Sequence, residues 1–405
     1  MPLDKVLQQG QHVMTVCNAC RYCEGYCPVF PAMEQRLSFG RGDLTYLANL
    51  CHNCGECLYA CQYAPPHEFG INVPATLASI RLRSYEQYSW PKAFSGAFRH
   101  HTVLTTLAAI VGLTALMAAG TAVFGAQSLW TAHGRGEFYA IVPHEVLITV
   151  FGGVGIFVIV ALGVAIGRFW RDTGETTEIP PLTVTMKALR AALTLTHLHT
   201  DGNECLEGMD DRRPWRRWFH HCTLYGFGLC FLSTCIAAVY HVGFGWRAPY
   251  AYTSAPVLFG TTGGVALLVG PAGLFALRRR RDPALGDEAQ AGLDVSFIAL
   301  LLASSATGLL LLFLRERAAM GLLLLVHLSC VLTLFVTLPY GKFVHGLYRT
   351  TALLKSVLET ARASRPEREI AAATPAPKYG QPIGSEPHLL SASPRGGSMS
   401  ASVDG

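Results

Sequence analysis

Long apolar runs dominate the chain from about residue 103 to residue 340, and a polar stretch of roughly a hundred residues precedes them. Six runs reach the about 20 residues that a helix needs to cross a bilayer. They lie at roughly 103–126, 146–167, 222–243, 255–277, 293–314 and 319–340, and none carries Asp, Glu, Lys or Arg within its apolar body, Asp294 standing at the very start of the fifth. Six membrane-crossing helices are therefore expected. The connecting charges orient them. Arg168, Arg171, Lys187, Arg190, Arg212, Arg213, Arg216 and Arg217 lie between runs two and three, Arg278–Arg281 between runs four and five, and Lys342, Arg349 and Lys355 after run six. The other connections hold only Arg135, Arg247, and the pair Arg315 and Arg317. The positive-inside rule then places both termini and both long basic loops in the cytoplasm, as in a multi-pass protein of a bacterial-type inner membrane.

This pattern divides the chain into a cytoplasmic module at 1–95, a membrane domain at 96–350, and a tail at 351–405. The cytoplasmic loop 168–221 inside the membrane domain has helical character around 183–198. From about residue 364 the tail is rich in Ala, Ser, Pro and Gly, a composition that buries no core and predicts disorder. The start, MPLDKVLQQGQHV, has no apolar h-region, so no secretory signal is expected. Composition agrees with the division: 51% of residues are hydrophobic and 15% charged, against about 25% charged in a soluble domain. The net charge of +5 comes without a basic block interleaved with aromatics, and nucleic acid is not an expected partner.

Cysteine adds chemistry to the polar module. Of the 13 cysteines, eight form two sets with the same C-x2-C-x2-C-x3-C spacing. One is Cys17, Cys20, Cys23 and Cys27 in CNACRYCEGYCP; the other is Cys51, Cys54, Cys57 and Cys61 in CHNCGECLYACQYAPPHEFG. In a cytosolic setting such sets favour metal over disulfides. Structural zinc uses two separated pairs of ligands, whereas a repeated quartet with Pro28 after its fourth cysteine points to two [4Fe–4S] clusters. Three closely spaced thiolates wrap one face of a cubane and the fourth reaches the other cluster. That rule assigns Cys17, Cys20, Cys23 and Cys61 to one cluster, and Cys51, Cys54, Cys57 and Cys27 to the other. Between the quartets, Asp43 is the expected N-cap of a helix whose Leu44, Leu47, Ala48 and Leu50 run into Cys51. This arrangement resembles the α-helical ferredoxin of fumarate-reductase-type and heterodisulfide-reductase-type subunits over about residues 10–80. The expected fold is thus mainly α, with an α-helical ferredoxin-type two-cluster domain followed by a six-helix transmembrane bundle. Cys222, Cys230, Cys235 and Cys330 read as packing residues in apolar helices; Cys205 reads as a free thiol in a polar loop.

Histidine inside a bilayer is costly and usually has a partner or a ligand. His220 and His221 begin the third run, His241 ends it, His327 lies in the outer part of the sixth, and His345 stands at its inner end. His327 and His345 are 18 residues apart, about 27 Å along one helix face. His220 shares a face with His241 to within about 60°, whereas His221 lies about 160° away. In antiparallel helices His241 then meets His327 near the outer surface and His220 meets His345 near the inner one. Either pair could hold a b-type haem by two axial imidazoles, so one or two haems are expected; the other reading of the inner pair is a solvated interface. His100, His101, His133 and His144 read as interface residues. Lys342, Arg216, Arg217, Arg349 and Arg247 are candidate partners of haem propionates. The spacing that ends in Lys342–His345 resembles the last ligand helix of nitrate-reductase gamma-type cytochromes b.

Taken together, CHNCGECLYACQYAPPHEFGINVP, FHHCTLYGFGLC and PYGKFVHGLYR resemble the tricarballylate-utilisation (citrate-utilisation) protein B family over about residues 12–355. The resemblance implies a chain that reoxidises the reduced FAD of a separate soluble dehydrogenase of tricarballylate type and passes electrons through iron–sulfur clusters and haem to membrane acceptors. Quinone is the expected sink, membrane lipid the surrounding partner, and no catalytic acid–base residue is expected because the organic chemistry belongs to the flavin partner. Two other classes fit less well. A tricarboxylate transporter would be expected to carry charged residues within its spans, and a membrane redox sensor would need no haem.

Overall fold

The computed structural model describes residues 3–125, 129–130, 137–174, 180–198 and 213–373. Among them there are helices and no strand. The N-terminal part holds α1 (Leu3–Cys20), α2 (Val29–Glu34), α3 (Arg41–Leu50), the short α4 (Glu56–Tyr59) and α5 (Val73–Tyr88). Then follow α6 (Lys92–Gly125), α7 (His144–Asp172), α8 (Leu182–Leu193), α9 (Arg213–Phe244), α10 (Ala255–Arg279), α11 (Ala291–Phe313), α12 (Met320–Thr337) and α13 (Val344–Ala373). Six of these are long and apolar enough to cross a membrane: α6, α7, α9, α10, α11 and α12. They correspond to the six apolar runs, and α8 to the helical stretch expected in the long loop. The chain is a multi-pass membrane protein.

Packing among the spans follows their order. α9 lies along α10, α10 on α11, α11 on α12, and α6 against α11 and α12. The α9–α10 seam is built from small residues, with Gly226 against Gly263 and Cys230 beside them, the kind of close approach that joins helices in lipid, where apolar burial gives no drive. Val111, Ile156, Ile159, Val242 and Phe313 point outward, as lipid-facing side chains do. Cys330 is buried, Cys222 and Cys230 are half-buried, and Cys235 is exposed; Cys205 lies outside the described residues.

The N-terminal helices pack around Met14, Met33, Leu44, Leu47, Leu50, Leu77 and Ile80. The same core takes Ala165 and Phe169 from α7, and Val344, Tyr348, Ala352 and Leu353 from α13. Tyr348 stacks on Tyr85 at 5.8 Å and meets Phe169 at 5.3 Å. The polar module is therefore continuous with the ends of the membrane helices. A buried ionic group reinforces the join: Arg36 pairs with Asp43 at 2.7 Å and Glu359 at 2.6 Å, the Tyr46 hydroxyl donates to Glu359 at 3.0 Å, and Lys355 donates to the Thr173 carbonyl.

Two sequence expectations shift. Helix α3 starts at Arg41 and not after Asp43. Asp43 still caps it, but from the third position, by accepting the Gly40 N–H at 3.1 Å, one arm of a capping box. The last helix runs to Ala373, past the expected onset of disorder, because Ala, Glu and Arg are strong helix formers. Residues Met1–Glu359 form one compact unit and Thr360–Gly405 another; residues 374–405 lie outside the described ones.

Gly42 sets how closely the module approaches α7. A Cβ there would collide with the Asp172 carbonyl oxygen. Gly42→Ala is expected to destabilise the detergent-solubilised protein by about 1–3 kcal/mol, the usual cost of overpacking. A thermal melt of the two proteins side by side checks this, and an unchanged midpoint would show that the contact is slack.

Candidate redox centres

The quartets occupy turns that follow helices. Cys17 and Cys20 lie in the last turn of α1, after which Arg21 adopts a left-handed conformation (φ 54°) and carries the chain back toward Cys23 and Cys27. Cys51 caps the C-terminus of α3, and the chain then turns through Asn53 (φ 59°) and Gly55 (φ 98°) into α4, which holds Cys57 and ends just before Cys61. Gly55 is required twice: its φ suits glycine, and a Cβ would stand 2.8 Å from Leu285.

These turns bring the thiols together across the two quartets. Cys27, from the first, joins Cys51, Cys54 and Cys57 around one void walled by Val29, Phe30, Val73 and Pro74. Cys61, from the second, joins Cys17, Cys20 and Cys23 around another of about 240 Å³, lined also by Tyr22, Tyr63 and Ile71. Cys57 borders both, but the thiols acting on it most strongly are Cys51 and Cys54. Among the described residues no three His, Cys, Asp or Glu side chains close on a single metal-ion position; the thiols ring voids instead. Soft sulfur donors around an apolar space suit an iron–sulfur cubane, and the Asn53 N–H points at the Cys51 sulfur at 3.3 Å, a contact that would stabilise a thiolate.

Burial, followed by the neighbouring thiols Cys61, Cys23 and Cys20, pushes Cys17 up to about 12. Burial and Cys61 do the same for Cys23, and burial with Glu56 takes Cys54 to about 11. Cys27 and Cys57 lie well above the ordinary thiol value, chiefly through burial. Without a cationic group between them these thiols hold their protons at neutral pH, and binding one displaces protons.

The second void is clamped to the membrane helices. The loop that carries Cys51 and Cys54 cannot satisfy its own carbonyls, and arginines from three distant segments do so. Arg216 of α9 donates to the His52 carbonyl at 2.9 Å and the Asn53 carbonyl at 3.2 Å. Arg281, just after α10, donates to the Asn53 carbonyl at 3.2 Å and the Leu285 carbonyl at 3.1 Å. Arg349 of α13 donates to the Leu50 carbonyl at 3.3 Å. Burial and neighbouring arginines lower Arg281 and Arg349 to about 10, so both stay charged at neutral pH. His52, buried and then opposed by Arg349 and Arg216, titrates well below the usual histidine range and is neutral.

This clamp accounts for side chains that sequence reading offers to haem propionates. Arg216 and Arg349 hold the cysteine loop, Arg217 donates to the Thr194 carbonyl at 2.9 Å, and Lys342 pairs with Asp294 at 2.9 Å. The clamp itself is invisible in the sequence, where Arg281 reads as a loop charge that sets orientation and Arg216 and Arg349 as candidate partners of haem propionates.

The histidines divide by end. His220 lies within electrostatic reach of His345 and Lys342, close to the clamp. His345 engages the Lys342 carbonyl through Nδ1 at 2.5 Å, which leaves Nε2 as the ligand atom. Burial and the Lys342 charge lower His345 to about 4, so it is neutral, as a ligand must be. His221 turns instead toward Tyr225, ring centroids 5.6 Å apart. At the far end, His241 stacks on His144 at 3.5 Å and meets Tyr139 at 5.2 Å. His327 engages Thr307 through Nδ1 at 3.0 Å and packs on Gly308. His241 and His327 thus have separate neighbours, because α9 packs along α10 while α12 packs on α11, α6 and α7. Helix spacing alone carries no information about which helices are adjacent.

A ferredoxin-like helical module joined to six apolar helices defines a multi-pass membrane protein with an iron–sulfur-type N-terminal domain. A family model described as citrate utilization protein B Fer4-like domain matches residues 10–95, and one described as citrate utilization protein B matches residues 96–367. The citrate utilization protein B of Escherichia coli is 48% identical over 356 residues, which cover 88% of this chain and 93% of that protein. The chain belongs to the citrate utilization protein B family. No solved structure matches it.

Exposure separates the thiols: Cys20 is open to solvent, while Cys51 is buried. In chelator-stripped protein, iodoacetamide should modify Cys20 first. Labelling of Cys17 and Cys23 should accelerate only as pH approaches the raised values near 12, since the thiolate is the reactive form. Mass spectrometry after timed labelling checks this; equal labelling of all eight thiols at pH 8 would contradict the packing described.

Proposed function

We propose that the chain is a membrane electron-transfer protein that reoxidises a soluble FAD-dependent dehydrogenase and delivers the electrons to the quinone pool. The observation that carries this reading is the clamp: a four-thiol site, completed by Cys27, is fixed by arginines from α9, α13 and the end of α10 next to the inner histidines. Cys17, Cys20, Cys23 and Cys61 would hold one [4Fe–4S] cluster, and Cys27, Cys51, Cys54 and Cys57 the other. His220 and His345 would hold a b-type haem. When bound, these groups supply one-electron carriers between a two-electron flavin and a quinone.

The residues present suit those roles. His345 presents Nε2 because its Nδ1 is engaged by the Lys342 carbonyl, and α9 brings His220 to the same end. Cys20 leaves an edge of the first site exposed, where a soluble donor can approach. The basic loops beside the module support a cytoplasmic position for it. The name of the Escherichia coli relative speaks of citrate utilization, which supports a tricarboxylate, of the tricarballylate type, as the donor's substrate. At the far end the haem reading has less support, since His241 and His327 lie on different neighbours.

Protein purified in detergent should contain about eight non-haem iron atoms and about eight acid-labile sulfides per chain, as two cubanes require, with haem iron in addition. Dithionite should develop the bands of a six-coordinate b-haem. His220→Ala and His345→Ala should each abolish the inner haem's share of those bands, and His221→Ala should not. Clusters without any haem band would contradict the haem assignment. A band that survives both replacements but falls with His241→Ala or His327→Ala would move the haem to the far end.

A further inference from the structure

The two thiol sites differ in the charges around them. Three guanidiniums act on the second site. Arg349 acts on Cys27 and Cys51, Arg281 on Cys51 and Arg216 on Cys54. Among the described residues one anion opposes them at these thiols, the buried Glu56 beside Cys54. The charges acting on Cys17 and Cys23 of the first site are those of other cysteines. The sites differ in access as well: Cys20 is exposed, whereas Cys51 is buried and receives the Asn53 N–H.

A cubane held by four thiolates is an anion, and reduction by one electron makes it more negative. Nearby positive charge and N–H contacts to sulfur favour the reduced state, and burial disfavours it. In the second site these effects compete. The guanidiniums lie in the same poorly screened interior as the thiols, where a charge acts far more strongly than in water. Burial acts on an added electron that is spread over the whole cubane. Three full cations against one carboxylate therefore decide the sign.

Resting on the cluster reading above, we infer that Arg216, Arg281 and Arg349 hold the Cys27, Cys51, Cys54 and Cys57 centre at a higher potential than its partner, so that the membrane helices themselves set the downhill direction of electron flow. The three arginines are positioning and tuning residues. They need not touch the electron carrier to act, and two of the three segments that bear them, α9 and α13, also carry the inner histidines. An electron entering at the exposed Cys20 edge then falls toward the bilayer. Its transfer couples the soluble and membrane parts through charge as well as packing.

Potentiometric titration of the full-length protein in detergent, read by EPR, tests this. Wild type should show two [4Fe–4S] signals with separate midpoints. Arg281→Gln and Arg349→Gln should each lower the upper midpoint by about 59 mV, a tenfold change in how one electron partitions between the centres, and leave the lower midpoint in place. Arg349→Lys, which keeps the charge but not the planar fork, should stay near wild type. Two intact signals with both midpoints unmoved in the Gln variants would overturn the inference alone. So would a Lys variant displaced as far as the Gln variant, since the carbonyl contact and not the charge would then be responsible. Wild-type protein lacking two reducible clusters would overturn this inference together with the reading it rests on.

Discussion

Residues 50–53 leave a helix and turn through a left-handed Asn53, a path on which their carbonyls find no partners within the loop. Buried carbonyls without donors are costly, and the donors arrive as guanidiniums from positions 216, 281 and 349. The remaining arrangement depends on this contact. It places one thiol site against the membrane helices and leaves the other at the solvent side. It brings the starts and ends of α9, α10 and α13 to one level, and it concentrates positive charge where an anionic cluster would sit. Charge-assisted bonds of this kind are stronger than neutral ones, and neighbouring arginines tolerate their proximity because each has a carbonyl to bind.

What the sequence reveals and what it hides divide along sequence distance. The six spans were legible because each is a single uninterrupted run, and the quartets because their spacing is local. The exchange of Cys27 and Cys61 between sites was legible too, since it follows from how few thiols in a short turn can face one point. Asp43 was identified as a capping residue but placed at the wrong position, because Gly40, with no side chain to advertise it, is the N-cap of the helix. The clamp was hidden. Its partners are separated by more than a hundred residues, and its arginines look the same as those that only orient a membrane protein.

The histidines show the same division. Spacing fixes which residues share a face only along an unbroken helix: His327 lies on α12 and His345 on α13, so the single face expected for them does not form, although His345 lies within electrostatic reach of His220. Spacing says nothing of which helices are neighbours. His144, read as an interface residue, instead stacks on His241, and His327 finds Thr307 on α11. Helix adjacency in this bundle comes from small-residue seams such as Gly226 against Gly263, a signal spread over glycines that are common throughout the chain.

The central claim is that each cluster draws its fourth ligand from the other quartet and that one of the two abuts the membrane helices. A single-particle density map of the purified protein addresses it directly. The account predicts two cubane-sized densities, one bonded to Cys27, Cys51, Cys54 and Cys57 beneath Arg216, Arg281 and Arg349, the other to Cys17, Cys20, Cys23 and Cys61. Densities each enclosed by a single consecutive quartet, or a single density, would contradict it.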